Sequence, residues 1–482
     1  GGLGLPHPRI ALPRALYGDA RLNSEGIDLA NEHRLGSLSS ALLSSTNTVY
    51  KAMPLLGCDA PELGEAQPVR NPADHRDIVG HVYEASEQDV RNAVLCAVSS
   101  GQIWQSTLPA ERAAVLDRAA NQMEAEMQQL MGLLVREAGK TFANAIAEVR
   151  EAVDFLRYYA AQARTHFSND SHRPLGPVVC ISPWNFPLAI FSGQVAAALA
   201  AGNTVLAKPA EQTPLIAAQA VRILLEAGVP SGAVQLLPGR GETVGAGLIG
   251  SERVRGVMFT GSTEVAGIIQ RNLAGRLDAQ GRTIPLIAET GGLNTMIVDS
   301  SALTEQVVVD VVASAFDSAG QRCSALRVLC LQEDVAERTL HMLRHALQEW
   351  NMGNPDQLST DVGPVIDAEA RAQIEAHIER MQAAGQKVTR VQRGNGAALN
   401  GHFVAPAIIE IDSPARLTRE VFGPVLHVIR FQRERLDQLI DGINATGYGL
   451  TFGMHSRIDE TIAHLTERVH AGNIYVNRNV IG

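Results

Sequence analysis

A thiol, a carboxylate and a side-chain amide are the groups that covalent attack on an aldehyde needs. This chain of 482 residues offers each in a distinctive setting. Cys323 sits in Gly320-Gln321-Arg322-Cys323-Ser324, downstream of the apolar run Val307-Val308-Val309-Asp310-Val311-Val312-Ala313. Glu289 lies in Ala288-Glu289-Thr290-Gly291-Gly292, and Asn185 in Pro183-Trp184-Asn185-Phe186-Pro187. A thiolate can attack a carbonyl carbon, an amide N–H can stabilise the resulting oxyanion, and a carboxylate can activate water for release. Taken alone, Cys323 reads as one more small apolar residue, because free Cys is usually buried and inert. Its neighbours in the sequence reverse that reading.

Two further stretches suit a dinucleotide. Lys208-Pro209-Ala210-Glu211 joins a strand end to a helix start. Its Lys and Glu could both hydrogen-bond a ribose diol, and the carboxylate would repel a 2′-phosphate, which favours NAD over NADP. Alone it reads equally as a solvated Lys followed by a first-turn Glu helped by the helix dipole. Phe259-Thr260-Gly261-Ser262 with Gly267 is a strand, a Gly turn and a helix start, and helix N-termini bind phosphate through free N–H groups. The spacing is not GxGxxG, so by itself it is only a βα turn. The Gly pair after Glu289 allows a close backbone approach, although a surface Glu before a turn has the same pattern. The histidines are scattered without an HExxH motif, so no metal site is expected. No Gly-x-Ser-x-Gly elbow is present, which disfavours a serine hydrolase.

The elements that must position these groups alternate. Pro177–Ser182, Thr204–Pro209, Val234–Leu237 and Gly256–Thr260 are apolar strand runs, separated by helical stretches at Ala189–Leu199 and Thr213–Ala227. Such alternation implies a parallel sheet wrapped by helices, with ligands at the carboxyl ends of its strands. Before it, helical patterning runs from Ser86, capped with Asp89, through Pro109 and on to Ala163. Beyond Glu289 a second α/β region begins with a strand at 295–298 and a helix at 303–319. Further strands are expected at 327–331, near Val388 and at 407–411, with helices at 335–350 and 368–384. The expected domains are therefore 1–65, a covering or linking segment; 66–288, cofactor-binding with a short polar break at 164–174; 289–475, catalytic; and 476–482, the start of a terminal segment.

Length allows two or three domains and an ample core. The hydrophobic fraction of 45% is that of a globular protein. A formal net charge of -10 with no block of positive charge disfavours a nucleic-acid surface. Five cysteines without a CxxC pair argue against a disulfide framework and for a reducing compartment. No signal peptide and no apolar run long enough for a bilayer is present. A start at Gly1-Gly2 without Met suggests a piece of a longer chain.

Seven stretches together resemble the aldehyde dehydrogenase superfamily, in its order and approximate spacing: Pro183–Pro187, Lys208–Glu211, Phe259–Ser262, Glu289–Gly292, Gly320–Cys323, Glu420–Pro424 and Asn477. The resemblance covers about residues 65 to 480. It implies an α/β fold made of a Rossmann-like NAD-binding domain and an α/β catalytic domain. Gly320–Arg327 and the N-terminal stretch Leu3–Ser45 look, more closely, like the dehydrogenase half of the bifunctional enzymes of bacterial proline catabolism. That likeness implies NAD-dependent oxidation of glutamate γ-semialdehyde, formed from pyrroline-5-carboxylate, to glutamate.

Carried over residue by residue, the resemblance implies Cys323 as nucleophile, with Asn185 and the Cys323 N–H as the oxyanion hole. Glu289 would be the base for thioester hydrolysis. Lys208 and Glu211 would hold the adenosine ribose, and Trp184, Gly261 and Ser262 the phosphates. Glu420 would hold the nicotinamide ribose with Phe422 beside it. Ser324, Glu137, Phe186 and Gly482 would line the substrate pocket. Thiolate formation calls for a lowered pKa, from a helix N-terminus or Arg322. The resemblance also implies an upstream FAD-dependent proline dehydrogenase domain, a homo-oligomeric parent, and a cytoplasmic enzyme peripheral to the inner membrane. Its anchor loop would continue past Gly482, and the 164–174 break is short for the family's dimerisation hairpin. The alternatives are another small semialdehyde as substrate, such as succinate semialdehyde, or a non-catalytic scaffold with this fold.

Overall fold

The computed structural model describes residues 7, 9–391 and 400–481, and they fall into two compact units. The first comprises Gly1–Asn71, Arg76–Ala138 and Phe142–Glu289; the second comprises Pro72–His75, Gly139–Thr141 and Thr290–Gly482. The break thus comes after Glu289, and two short excursions join the second unit without any sign in the sequence pattern.

The first unit opens with a segment tied down by charge. Arg14 and Arg157 both pair with Glu124, and Ser24 donates to Asp154 at 2.7 Å. Helix α1 (Glu32–Ser45) follows, then strands β1 (Tyr50–Ala52), β2 (Gln67–Asn71) and β3 (Asp74–Val82), which form a sheet in the order β1-β3-β2. Helix α2 (Glu87–Ser106) starts on the capping box expected from its sequence. Ser86 Oγ accepts the Asp89 N–H at 3.0 Å and Asp89 Oδ2 accepts the Ser86 N–H at 2.8 Å, an arrangement that stabilises a helix by about 1 kcal/mol. Pro109 begins α3 (Pro109–Ala125), where its missing N–H costs nothing. Helices α4 (Met127–Ala138) and α5 (Phe142–His166) complete a helical layer.

The alternation then takes over: β4 (Pro177–Ile181), α6 (Ala189–Ala200), β5 (Thr204–Lys208), α7 (Pro214–Glu226), β6 (Val234–Leu236), α8 (Ala246–Gly250), β7 (Gly256–Thr260), α9 (Thr263–Ala274) and β8 (Leu286–Glu289). The sheet is parallel throughout, in the order β6-β5-β4-β7-β8. Strands β4 and β5 are apolar on both faces because helices cover both. Helix α7 stops where expected, with Gly228 at φ 108°. The polar break is narrower than its sequence suggests, since α5 runs through His166.

The second unit is a seven-stranded sheet ordered β11-β12-β13-β10-β9-β14-β15. In chain order its elements are β9 (Thr295–Val298), α10 (Thr304–Phe316), β10 (Val328–Gln332), α11 (Glu333–Gln348), α12 (Ala368–Ala383), β11 (Lys387–Arg390) and β12 (Ala407–Glu410). They continue with β13 (Val425–Phe431), α13 (Leu436–Asn444), β14 (Thr451–His455), α14 (Asp459–Arg468) and β15 (Asn473–Val476). All neighbours run parallel except β11 with β12. The helix expected over 303–319 ends at Phe316, where a 3-10 turn, Asp317–Gly320, takes the chain through positive φ at Ser318, Ala319 and Gly320.

One expectation is overturned. Cys58 and Cys96 form a disulfide, with Sγ atoms 2.13 Å apart and Cα atoms 5.8 Å apart. The segment after β1 lies along α2: the Gly57 N–H donates to Gln235, whose amide donates to the Ala93 carbonyl, and the Glu62 N–H donates to Asp89. That packing sets the two thiols side by side across 38 residues of sequence, a separation with no motif. Among the described residues no helix is long and apolar enough to cross a membrane.

Candidate active site

In the first unit the residues singled out from sequence line one sheet edge. Register pairs Ile181 with Lys208, Ile181 with Phe259, and Thr260 with Glu289. The carboxyl ends of β5, β4, β7 and β8 therefore present, in that spatial order, Lys208, the Trp184–Asn185 turn, Gly261–Ser262 and Glu289. The chain crosses the sheet between β6 and β7, so this edge includes the switch point where α/β sheets bind ligands.

Each position has a local cause. The Pro183–Pro187 turn is pinned at both sides, by the Ser182 N–H on the Lys208 carbonyl at 3.2 Å and by Glu148. Glu148 Oε1 accepts the N–H groups of Leu188 and Ala189 at 3.0 and 3.1 Å, capping α6 from within the core. Asn185 is buried, Trp184 half-buried, and Phe186 packs against the helical core. Ser262 caps α9 by accepting the Val265 N–H, so the first turn of α9 faces solvent. The Glu289 carbonyl accepts the Gly261 N–H at 3.1 Å, which joins that Gly turn to the expected base, whose side chain is exposed.

Lys208 is 3% exposed and lies at the end of β5. Burial lowers its pKa, against the pull of Glu211, Glu242 and Glu84. Among the described residues its ammonium donates to the Pro209 carbonyl at 3.0 Å, which leaves two of its three N–H directions for a ligand. Glu211 Oε1 accepts the Gly241 N–H at 2.8 Å, and its other oxygen can accept a hydroxyl. A buried ammonium with open donors beside an acidic acceptor, and a solvent-facing helix N-terminus two strands away, fit the ribose and phosphates of a dinucleotide.

In the second unit Cys323 and Glu420 precede the amino ends of the paired strands β10 and β13. Cys323 is half-buried in an irregular turn held by side chains. Asn294 Nδ2 donates to the Cys323 carbonyl at 2.6 Å and to the Ala325 carbonyl at 2.8 Å, while its Oδ1 accepts the Thr451 N–H at 3.1 Å. Gln321 bonds Ser318 O, Pro364 O and the Ile366 N–H. The Ser324 carbonyl accepts from Thr451 Oγ1 at 3.4 Å. Glu420 pairs with buried Arg327 at 2.8 Å, and Phe422 lies beside the same guanidinium. A Cβ at Gly291 would fall 1.7 Å from Glu420 Oε2, so any side chain there would displace the Glu420 carboxylate.

The electrostatics correct an expectation. Burial, and then the Glu420 charge, raise the Cys323 pKa; the N–H groups of Ser324 and Cys323 and the Arg327 charge oppose them. Cys323 is on the turn before β10 and not at a helix start, and Arg322 is paired with Asp317 at 2.6 Å. The cation that favours the thiolate is Arg327.

Glu137 lies in the core of the first unit. Its oxygens accept the N–H groups of Leu215 and Ile216 at 2.6 and 2.9 Å, and it is 1% exposed. Both oxygens accept N–H groups at the start of α7, so Glu137 caps that helix from within the core. Gly482 lies outside the described residues. The sequence also carries an HxxxH pair, His341 and His345, which meet edge to face on α11. Among the described residues no group of three or more His, Cys, Asp or Glu could hold a metal ion. Sequence reasoning missed Asn294, Gln321 and Arg327 as supports of the turn that carries Cys323. The available signal was a polar side chain flanking an apolar strand: Asn294 before Thr295–Val298, and Arg327 before Val328–Leu331.

Residues 60–482 match the aldehyde dehydrogenase family. The chain is 67% identical over 487 residues to the bifunctional protein PutA of Escherichia coli (strain K12), covering 100% of this chain and 37% of that protein. It thus spans a little over a third of the length of such relatives. It is 36% identical over 426 residues to the 1-pyrroline-5-carboxylate dehydrogenase of Bacillus mycoides (strain KBAB4), covering 86% of this chain and 82% of that one. The crystal structure of the 1-pyrroline-5-carboxylate dehydrogenase from Thermus with bound NAD is similar at a TM-score of 0.89 and 33% identity, over 95% of this chain and 91% of that one.

Proposed function

The chain belongs to the aldehyde dehydrogenase family, and from that premise we propose that it oxidises L-glutamate γ-semialdehyde, in equilibrium with pyrroline-5-carboxylate, to L-glutamate with NAD. The observation that carries this reading is the nucleophile turn: a half-buried thiol whose backbone is fixed by Asn294 and faced by the Arg327–Glu420 pair. A scaffold has no need of such a turn. The substrate rests on the likeness to two 1-pyrroline-5-carboxylate dehydrogenases.

Cys323 loses its proton and its sulfur adds to the aldehyde carbon. The carbonyl electron pair moves to oxygen, and the Asn185 amide and the Cys323 N–H donate to that oxyanion. NAD, when bound, supplies the acceptor for the hydride that must leave this carbon. Lys208 and Glu211 hold the adenosine ribose, Trp184 and the Gly261–Ser262 turn the phosphates, and Glu420 with Phe422 the nicotinamide ribose. Glu289 then takes a proton from water, which adds to the thioester carbon. The C–S bond breaks and Cys323 leaves as thiolate. Ser324 and Phe186 contact the substrate.

We further propose that an upstream FAD-dependent proline dehydrogenase half supplies pyrroline-5-carboxylate in a cytoplasmic, homo-oligomeric parent. The word bifunctional in the relatives' name and their greater length support the presence of such a second half.

The test is NADH formation from pyrroline-5-carboxylate by the chain and by Cys323→Ala. Turnover is expected in the first and none in the second. Wild-type-like turnover in the variant would remove Cys323 as nucleophile. Succinate semialdehyde run in parallel should have a lower kcat/KM, because a lost polar contact costs about 1–3 kcal/mol.

A further inference from the structure

Arg327 takes no part in the steps above, yet it is 1% exposed and carries a full charge into the interior of the second unit. A buried guanidinium is tolerated only when its donors are satisfied. Here Nε and Nη2 donate to Glu420 Oε1 at 3.1 and 2.8 Å, and Nη2 also to the Arg322 carbonyl at 2.9 Å. Nη1 donates to the Gly320 carbonyl at 2.6 Å and the Gly423 carbonyl at 3.3 Å. Its Cζ is 5.2 Å from the centre of the Phe422 ring. Two of these partners, the Gly320 and Arg322 carbonyls, precede the nucleophile by a few residues; the others belong to the Glu420–Gly423 turn.

Both turns lack regular structure to hold them. Ser318, Ala319 and Gly320 have φ of 56°, 54° and 66°, a left-handed run that side chains disfavour. A Cβ at Gly320 would stand 2.2 Å from the Gly423 carbonyl oxygen, so the two turns touch backbone to backbone. Behind Arg327, its own carbonyl accepts the His427 N–H at 2.9 Å and lies 3.1 Å from His427 Nδ1.

We propose that Arg327 is a positioning residue that locks the Gly320–Cys323 turn and the Glu420–Gly423 turn into one body, so that what holds Glu420 also sets the reactivity of Cys323. The proposal rests on the reading of Cys323 as nucleophile and Glu420 as a ribose ligand. A lysine cannot replace it, because one ammonium cannot span four oxygens in these directions. Substitution leaves buried carbonyls without donors and frees the two turns from each other.

The test uses the full chain with Arg327→Lys, Arg327→Met and Glu420→Gln. The first readout is the rate of iodoacetamide alkylation of Cys323 without NAD or aldehyde, followed by peptide mass spectrometry with buried Cys330 as the internal control. Loss of the Arg327 charge should slow alkylation about tenfold, because less of the thiol is then thiolate. Loss of the Glu420 charge should speed it. The second readout is steady-state kinetics: both Arg327 variants should raise KM for NAD and lower kcat about 100-fold, the cost of a displacement of about 1 Å. A purely structural residue would lower the active fraction without moving KM or giving opposite alkylation effects. Wild-type alkylation and wild-type KM in Arg327→Met would overturn the proposal. If the Arg327 variants do not fold, Glu420→Gln decides it, because an unchanged alkylation rate there would refute the coupling. Alkylation needs no turnover, so a wild-type chain inactive on the semialdehyde would refute the function and leave this comparison standing.

Discussion

Glu137 and Glu148 do the same task on neighbouring helices, each placing a buried carboxylate on two N–H groups at a helix start. Sequence likeness marks Glu137 as a substrate ligand, whereas its bonding partners are those of a helix cap, and an acidic residue in an apolar helix looks the same in either role. The two roles separate by pH. Burial pushes the Glu137 pKa from 4.5 up to about 8, against its two N–H donors. The folded chain therefore holds a proton that the unfolded chain has released between those values. Stability from this group is complete below about 4.5 and lost as pH rises through about 8. Glu137→Gln has no such loss, so its Tm relative to wild type should climb from pH 5 to pH 9 while KM for the aldehyde stays unchanged. A raised KM with no trend in Tm would restore the substrate role. Cys323, Glu289 and Asn185 stand out in the sequence as candidates because their motifs are local. Asn294 and Arg327 do not, since their partners lie 29 to 157 and 5 to 96 residues away.

At the scale of elements, β4 to β7 and the capped starts of α2 and α3 were readable because continuous apolar runs and caps are local signals. The stretch from α13 to α14 was not, although Leu436, Leu439, Ile440 and Ile443 bury one helical face. That pattern spans a little over two turns, too short to stand out between Arg433–Arg435 and Thr446-Gly447. Helix α12 meets β13 through another contact that the sequence hides. His377 and His427 face each other at 2.9 Å between Nε2 atoms, both buried. Burial depresses His377 to about 4 and His427 to about 3, with nearby arginines and the paired ring adding to the effect. A depressed His pKa gives stability that is present above the unfolded value near 6.5 and is lost as pH falls toward 3–4. The chain should lose stability to denaturant over that window, and His377→Gln should flatten the loss. An equal slope in the variant would show that the pair does not titrate as a buried neutral dyad.

For the whole molecule, composition and alternation lead to an expectation of two α/β regions, and the chain divides into two compact units. The excursions Pro72–His75 and Gly139–Thr141 escape any pattern, since they are set by tertiary contacts alone. One such contact is Gly139, where a Cβ would meet Pro364 at 2.7 Å. The Cys58–Cys96 bond escapes for the same reason. The central claim is covalent turnover on Cys323 with Glu289 as the base that releases the product. It is tested most directly by mixing Glu289→Gln with NAD and pyrroline-5-carboxylate and digesting for mass spectrometry. An acyl adduct on the Cys323 peptide, formed with about one NADH per chain and then persisting, is the predicted result. Sustained turnover without an adduct, or an adduct on another residue, would contradict it.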